Sequence, residues 1–149
     1  MEKYYIAYGS NMDEGQMAYR CPTAQLLGRT ELEDYRLLFK GSKTGAYATI
    51  EPEEGSRVPV LVWTIGKEDE KSLDRYEGYP VFYYKKELEI NLDGKRVTAK
   101  AYIMDESREY GKPSEGYYGV LERAYRKYGF PMEILTEAYK ISGENGGGD

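Results

Sequence analysis

Between Ala24 and Ile65 one strand-like segment follows another: Ala24 to Leu32, Tyr35 to Phe39, Ala46 to Glu51 and Val58 to Ile65, with Gly41, Gly45, Pro52 and Gly55 as breaks. A run of this length commits the chain to a sheet, and the rest of the sequence has to be arranged around it. Lys3 to Gly9 adds an aromatic and apolar strand that ends at a glycine. Phe82 to Leu92 and Arg96 to Met104 add two more, joined through Asp93-Gly94, a pair suited to the positive φ angles of a tight hairpin. Helical patterning is confined to short stretches. Met12 to Arg20 is stopped by Cys21-Pro22, and Asn11 is placed to cap its start. Lys67 to Glu77 carries Leu73 and Tyr76 three apart before Gly78 and Pro80 end it. Gly119 to Tyr128 and Met132 to Tyr139 are separated by Gly129-Phe130-Pro131. Many strands with few scattered helices predict an α+β fold: a small mixed, mainly antiparallel β-barrel with flanking helices. At 149 residues the chain has room for one core. We therefore expect one domain over residues 1–141 and a disordered, Gly-rich tail over residues 142–149.

The sequence contains no histidine and a single cysteine, Cys21. Ser-His-Asp and Cys-His machinery, histidine metal sites and clusters of several thiolates are thereby excluded. Proton transfer falls to carboxylates, tyrosines or lysines. Seventeen tyrosines against three phenylalanines supply aromatic surface that carries hydroxyl groups. Lysines and arginines number 21 against 26 acids, for a net charge of −5, and they are mixed along the chain. With no basic stripe, nucleic acid is not an expected partner. No apolar stretch reaches membrane length, and Met1-Glu2-Lys3 leads straight into a strand, so no membrane association is expected and the cytoplasm is the expected compartment.

Two local features bear on chemistry. Tyr8-Gly9-Ser10-Asn11 places a glycine turn between a strand and a helix start, where free N–H groups can meet a carboxylate or a developing oxyanion; the same sequence also makes an ordinary capped turn. Glu77 closes a helix, a position the helix dipole makes unfavourable for an exposed carboxylate. Turned inward against Tyr76 and Tyr79, it would gain the raised pKa of a general base. Tyr117-Tyr118 follow a polar loop and suit either ligand contact or helix anchoring. Neither Lys112-Pro113-Ser114 nor the loop from Gly41 to Gly45 has phosphate-loop spacing, and Cys21, with no histidine to ionise it, reads as a packing residue.

Taken in order, Tyr5-Ile6-Ala7-Tyr8-Gly9-Ser10-Asn11-Met12 resembles the signature opening of the γ-glutamylcyclotransferases. Leu73-Asp74-Arg75-Tyr76-Glu77-Gly78 resembles the segment bearing the family's catalytic glutamate, and Tyr128-Gly129-Phe130-Pro131 resembles its C-terminal helix break. This resemblance implies a cytosolic, often dimeric enzyme without metal or cofactor. Its small-molecule γ-glutamyl substrate would close on itself to 5-oxoproline and release an amine or amino acid. It implies Glu77 as general acid/base and a substrate-binding stretch of Tyr5, Ile6, Ala7, Tyr8, Gly9 and Ser10. Tyr117 matches a substrate-contacting tyrosine, and Tyr84 and Tyr102 fall near further pocket tyrosines. The segment Tyr79-Pro80-Val81-Phe82 leaves the amine-side specificity open. The alternative is a non-catalytic protein on the same fold that binds a small acid through the Gly9 turn.

Overall fold

The computed structural model describes residues 3–146. Five strands form one sheet: β1 (Lys3–Ala7), β2 (Gln25–Lys40), β3 (Tyr47–Ile65), β4 (Tyr83–Leu92) and β5 (Lys95–Met104). Their spatial order is β2-β3-β1-β5-β4. All neighbours run antiparallel except β1 and β5, which are parallel, with Tyr5 opposite Lys100. The sheet curls until its two outer strands meet, and Thr30 on β2 donates its hydroxyl proton to the Asn91 carbonyl on β4 at 2.6 Å. Among the described residues no backbone ladder joins these edges, so the barrel is open.

The four strand segments expected between Ala24 and Ile65 are two long bent strands. Asp34 and Gly55 account for the difference. Asp34 takes φ 65° and Gly55 φ 86°, and the Gly55 N–H donates to Asp34 Oδ1 at 3.0 Å. The pairing passes from Glu33 opposite Arg57 to Tyr35 opposite Pro52, so the breakers make an irregularity within one hairpin and the ladder resumes beyond them. The Asp93-Gly94 hairpin forms as expected, with φ 51° and 81° at the two turn residues and Leu92 paired to Lys95.

Helices α1 (Glu14–Arg20), α2 (Lys67–Glu77), α3 (Glu115–Tyr128) and α4 (Met132–Gly146) pack around the sheet. Asn11 is not the cap of α1. It lies in a 3-10 turn over Ser10–Met12, and Asp13 caps the helix by accepting from the Gly15 N–H at 2.9 Å. α3 starts earlier than its apolar period suggests, because Ser114 accepts from the Tyr117 N–H at 3.2 Å; Tyr117 and Tyr118 therefore stand inside the helix. α4 continues through Gly146, past the point where the expected tail begins. Ser142 is fully buried and accepts from the Phe39 N–H at 2.8 Å, so a tertiary hydrogen bond holds a segment whose composition alone reads as tail. Residues 147–149 of that tail lie outside the described residues. Phe39, Ile50, Leu61 and Val62 from the sheet, with Leu121, Tyr125 and Leu135 from α3 and α4, form the core. Among the described residues no helix is long and apolar enough to cross a membrane.

Candidate active site

The turn after β1 and the end of α2 meet over the mouth of the curled sheet. β1 sits centrally, so its C-terminus delivers Tyr8 and Gly9 to that mouth, and the 3-10 turn follows, with Met12 N–H bonded to the Gly9 carbonyl at 3.0 Å. α2 is fixed at both ends. At its start, Asp69, almost fully buried, accepts from the Gly66 N–H at 3.0 Å and from the Thr23 hydroxyl. At its end, Gly78 takes φ 66° and the Tyr79 N–H bonds back to the Asp74 carbonyl at 2.9 Å. Leu73, fully buried, pins the helix to the core. Glu77 is therefore the last helical residue and faces the turn.

Between these elements lies a cavity of about 190 Å³. Glu77, Gly9, Ser10, Asn11 and the ring-bearing Tyr5, Tyr8, Tyr76, Tyr83, Tyr102 and Tyr117 are among its walls. Burial pushes the Glu77 carboxyl up to about 7, with the Arg20 guanidinium pulling the other way. Among the described residues the Glu77 carboxyl has no hydrogen-bond partner. Around it, burial holds Tyr5, Tyr8, Tyr83 and Tyr117 above their ordinary phenol values, and the Glu77 charge adds to this in each case. These phenols are neutral donors and acceptors, not bases.

The direction of each phenol's hydrogen bond decides what it can offer a ligand. Tyr8 donates to the Tyr102 carbonyl, and Tyr83 donates to the Ala48 carbonyl at 2.8 Å, so both protons are engaged in the wall. Tyr102 donates to Asp74 Oδ1 at 2.6 Å, which fixes its ring against α2. Tyr117 is different: its oxygen accepts from the Ala48 N–H at 3.1 Å and keeps its proton free. The Tyr5 oxygen likewise accepts, from Asn11 Nδ2 at 2.9 Å. The N–H groups of Ser10 and Asn11 at the opening of the turn have no partner among the described residues. The residues carrying these two phenolic protons and two backbone donors thus line the same cavity as one carboxylate able to change its charge near neutral pH.

Gly9 is required by a close approach. A Cβ placed there would sit 3.0 Å from the Tyr117 hydroxyl and 3.5 Å from the Ala48 Cβ. Gly9→Ala is expected to displace that hydroxyl and lower kcat/KM about tenfold, because small misplacements at a reacting centre are costly. Steady-state kinetics beside a thermal melt check it, with the melt expected to stay near wild type.

Residues 5–127 match the family model described as gamma-glutamyl cyclotransferase, AIG2-like. The chain belongs to this family. Human gamma-glutamylcyclotransferase is 32% identical over 147 residues, covering 92% of this chain and 77% of that protein, and the bovine protein is 33% identical over 146 residues with the same coverage. A solved structure of a gamma-glutamyl cyclotransferase superposes with a TM-score of 0.82 at 28% identity, over 93% of this chain and 86% of that one. The protein is an enzyme of the γ-glutamylcyclotransferase type.

Of the family positions read from the sequence, Tyr5, Ile6, Tyr8, Gly9, Ser10, Glu77, Tyr102 and Tyr117 line the cavity, and Ala7 and Tyr84 do not. Ala7 is buried in the core. Tyr84 points outward and is 37% exposed, because successive residues of β4 face opposite sides of the sheet; its neighbour Tyr83 takes the inward place. The sequence pointed the other way, since Leu88, Ile90 and Leu92 are buried and share their face of the strand with Tyr84; the buried positions change parity between Tyr83 and Leu88. Tyr47 and Ala48 also line the cavity and carried no sequence signal of their own, and Phe82 joins them from the segment that left the amine-side specificity open. Cys21 is buried, donates to the Asp69 carbonyl at 3.6 Å, and has its thiol pushed up to about 12 by burial, consistent with a packing role.

Proposed function

We propose that this γ-glutamylcyclotransferase-family enzyme converts the γ-glutamyl group of a γ-glutamyl amide to 5-oxoproline and releases the amine, with Glu77 as general acid/base. The observation that carries this reading is the position of Glu77 in the same cavity as the Gly9 turn, with a carboxyl raised to about 7. In this reading the substrate's α-amino nitrogen attacks its own γ-carbonyl carbon and Glu77 takes up the proton the nitrogen loses. The carbonyl oxygen becomes an oxyanion, which the free phenolic protons and the backbone N–H groups of Ser10 and Asn11 can hold. As the intermediate collapses, the bond to the leaving nitrogen breaks and Glu77 returns the proton to it. One carboxylate serves both steps because near neutral pH it is populated in both states. The substrate supplies its own nucleophile, which suits a sequence whose single cysteine is a packing residue away from the cavity. Tyr5, Ile6, Tyr8, Gly9, Ser10, Tyr102 and Tyr117 form the proposed substrate-binding wall.

The base role requires ionised Glu77 at the start of the reaction, so kcat/KM is expected to rise with pH along an acid limb centred near 7. A pH–rate profile on a γ-glutamyl amide tests it. A limb centred near 4.5, the value of an unperturbed glutamate, would count against Glu77 as the base.

A further inference from the structure

The cavity is backed by a charged group that is not one of its lining residues. Arg20, the last residue of α1, stacks its guanidinium on the Tyr76 ring, 3.5 Å from the centroid. The same group donates from Nη2 to Gln16 Oε1 at 2.8 Å and from Nη1 to Asn11 Oδ1. Asn11 is buried at 3% exposure and reaches Tyr5 through its other amide atom. Tyr76 in turn shares a hydrogen bond with Ser10 Oγ at 3.2 Å.

The chemistry of these groups fixes a direction along the chain. A guanidinium only donates, so the atom of Asn11 that faces Arg20 has to be the carbonyl oxygen. The amide nitrogen therefore faces Tyr5, and that nitrogen only donates. The Tyr5 oxygen has to accept, and its own proton is turned away from Asn11, towards the cavity that Tyr5 lines. We propose that Arg20 and Asn11 are positioning residues whose fixed donor-to-acceptor order presents the Tyr5 hydroxyl proton to the glutamyl group of the substrate. Without Arg20 the Asn11 amide is free to turn over, and its oxygen would then draw the Tyr5 proton back into the wall. This inference rests on the function proposed above for the choice of ligand, but the direction of the hydrogen bonds does not depend on it.

Asn11→Asp tests the proposal with almost no change of shape. The aspartate keeps an oxygen for Arg20 and presents a second oxygen to Tyr5, so the phenol becomes a donor to the wall and is lost to the substrate. Tyr5→Phe removes the same proton directly. Each single variant is expected to lower kcat by about tenfold or more. In the Tyr5→Phe background, Asn11→Asp is expected to have little further effect, because both changes remove one interaction. A purely structural role for Asn11 would instead give effects that multiply. Multiplying effects, or an Asn11→Asp enzyme with wild-type kcat, overturns the proposal. Neutron diffraction on the wild-type protein supplies a readout that needs no turnover: the Tyr5 deuteron is expected on the cavity side, and a deuteron directed at Asn11 overturns the proposal even if no γ-glutamyl amide is cyclised. Failure of the proposed function would show separately, as wild-type protein that releases no 5-oxoproline while its Tyr5 deuteron points into the cavity.

Discussion

Glu77→Gln is expected to reduce kcat by at least about a hundredfold, the scale of losing a positioned acid/base, while making the protein more stable at alkaline pH. The two effects share a cause. Burial lifts the folded-state pKa from 4.5 to about 7, so the folded chain holds this proton more tightly than the unfolded chain does. The contribution of Glu77 to stability is therefore full below about pH 4.5 and is lost as pH rises through 7. Glutamine, of nearly the same shape, has no charge to bury. Its melting temperature is expected to exceed that of the wild type at pH 8, and the difference should shrink at pH 5. Parallel kinetics and melts at the two pH values check both halves. A glutamine variant that turns over normally removes the acid/base role; one that is no more stable at pH 8 removes the desolvated carboxylate.

Gly111→Ala is expected to cost about 3 kcal/mol of stability, at the upper end for forcing extra atoms into a packed interior. Residues 110–112 cross the connection between β2 and β3: Gly111 N–H bonds to the Phe39 carbonyl at 3.2 Å, Lys112 N–H to the Lys43 carbonyl at 3.1 Å, and Ala46 N–H to the Lys112 carbonyl at 3.0 Å. A Cβ at Gly111 would lie 1.7 Å from the Ser42 carbonyl oxygen, 2.7 Å from its carbon and 2.9 Å from the Lys43 carbonyl carbon. All three are backbone atoms in a hydrogen-bonded crossing, and no side-chain rotation relieves them. The melting temperature is expected to fall by about 10 °C for a domain of this size. A melt within one or two degrees of wild type, on the order of experimental scatter, would show that the crossing yields easily. The displaced connection leads straight into Tyr47 and Ala48, so a loss of substrate affinity should accompany the loss of stability.

Much of this arrangement was legible in the residues. The hairpin at Asp93-Gly94, the end of α2 at Gly78 and the strand leading to Gly9 are local decisions, made by residues whose backbone preferences hold in any context. What was not legible depended on contacts between distant segments. Pro52 and Gly55 read as strand breakers, but Asp34, 21 residues away, bonds across the irregularity and lets the hairpin continue. Ser142 and Gly143 read as the beginning of a tail because nothing in the local sequence reveals that the Phe39 N–H awaits a partner. At the site, family order identified Glu77 and the turn, whereas Tyr84 shares the parity of the buried Leu88, Ile90 and Leu92, and only the structure shows that Tyr83 takes the inward place at that end of the strand. The roles of Tyr5 and Tyr117 as free donors follow from which atom opposes each hydroxyl, and no sequence pattern encodes that.

The central claim is that the substrate attacks itself at Glu77, and product identity tests it most directly. The wild-type enzyme should be incubated with a panel of γ-glutamyl amides whose leaving groups include amino acids, a dipeptide and simple amines, and the products separated and quantified. Equimolar 5-oxoproline and free amine from at least one member, lost in Glu77→Gln, is the expected result. Release of free glutamate in place of 5-oxoproline, meaning that water and not the α-amine attacked the γ-carbonyl, would contradict it, as would 5-oxoproline formation that survives intact in the glutamine variant.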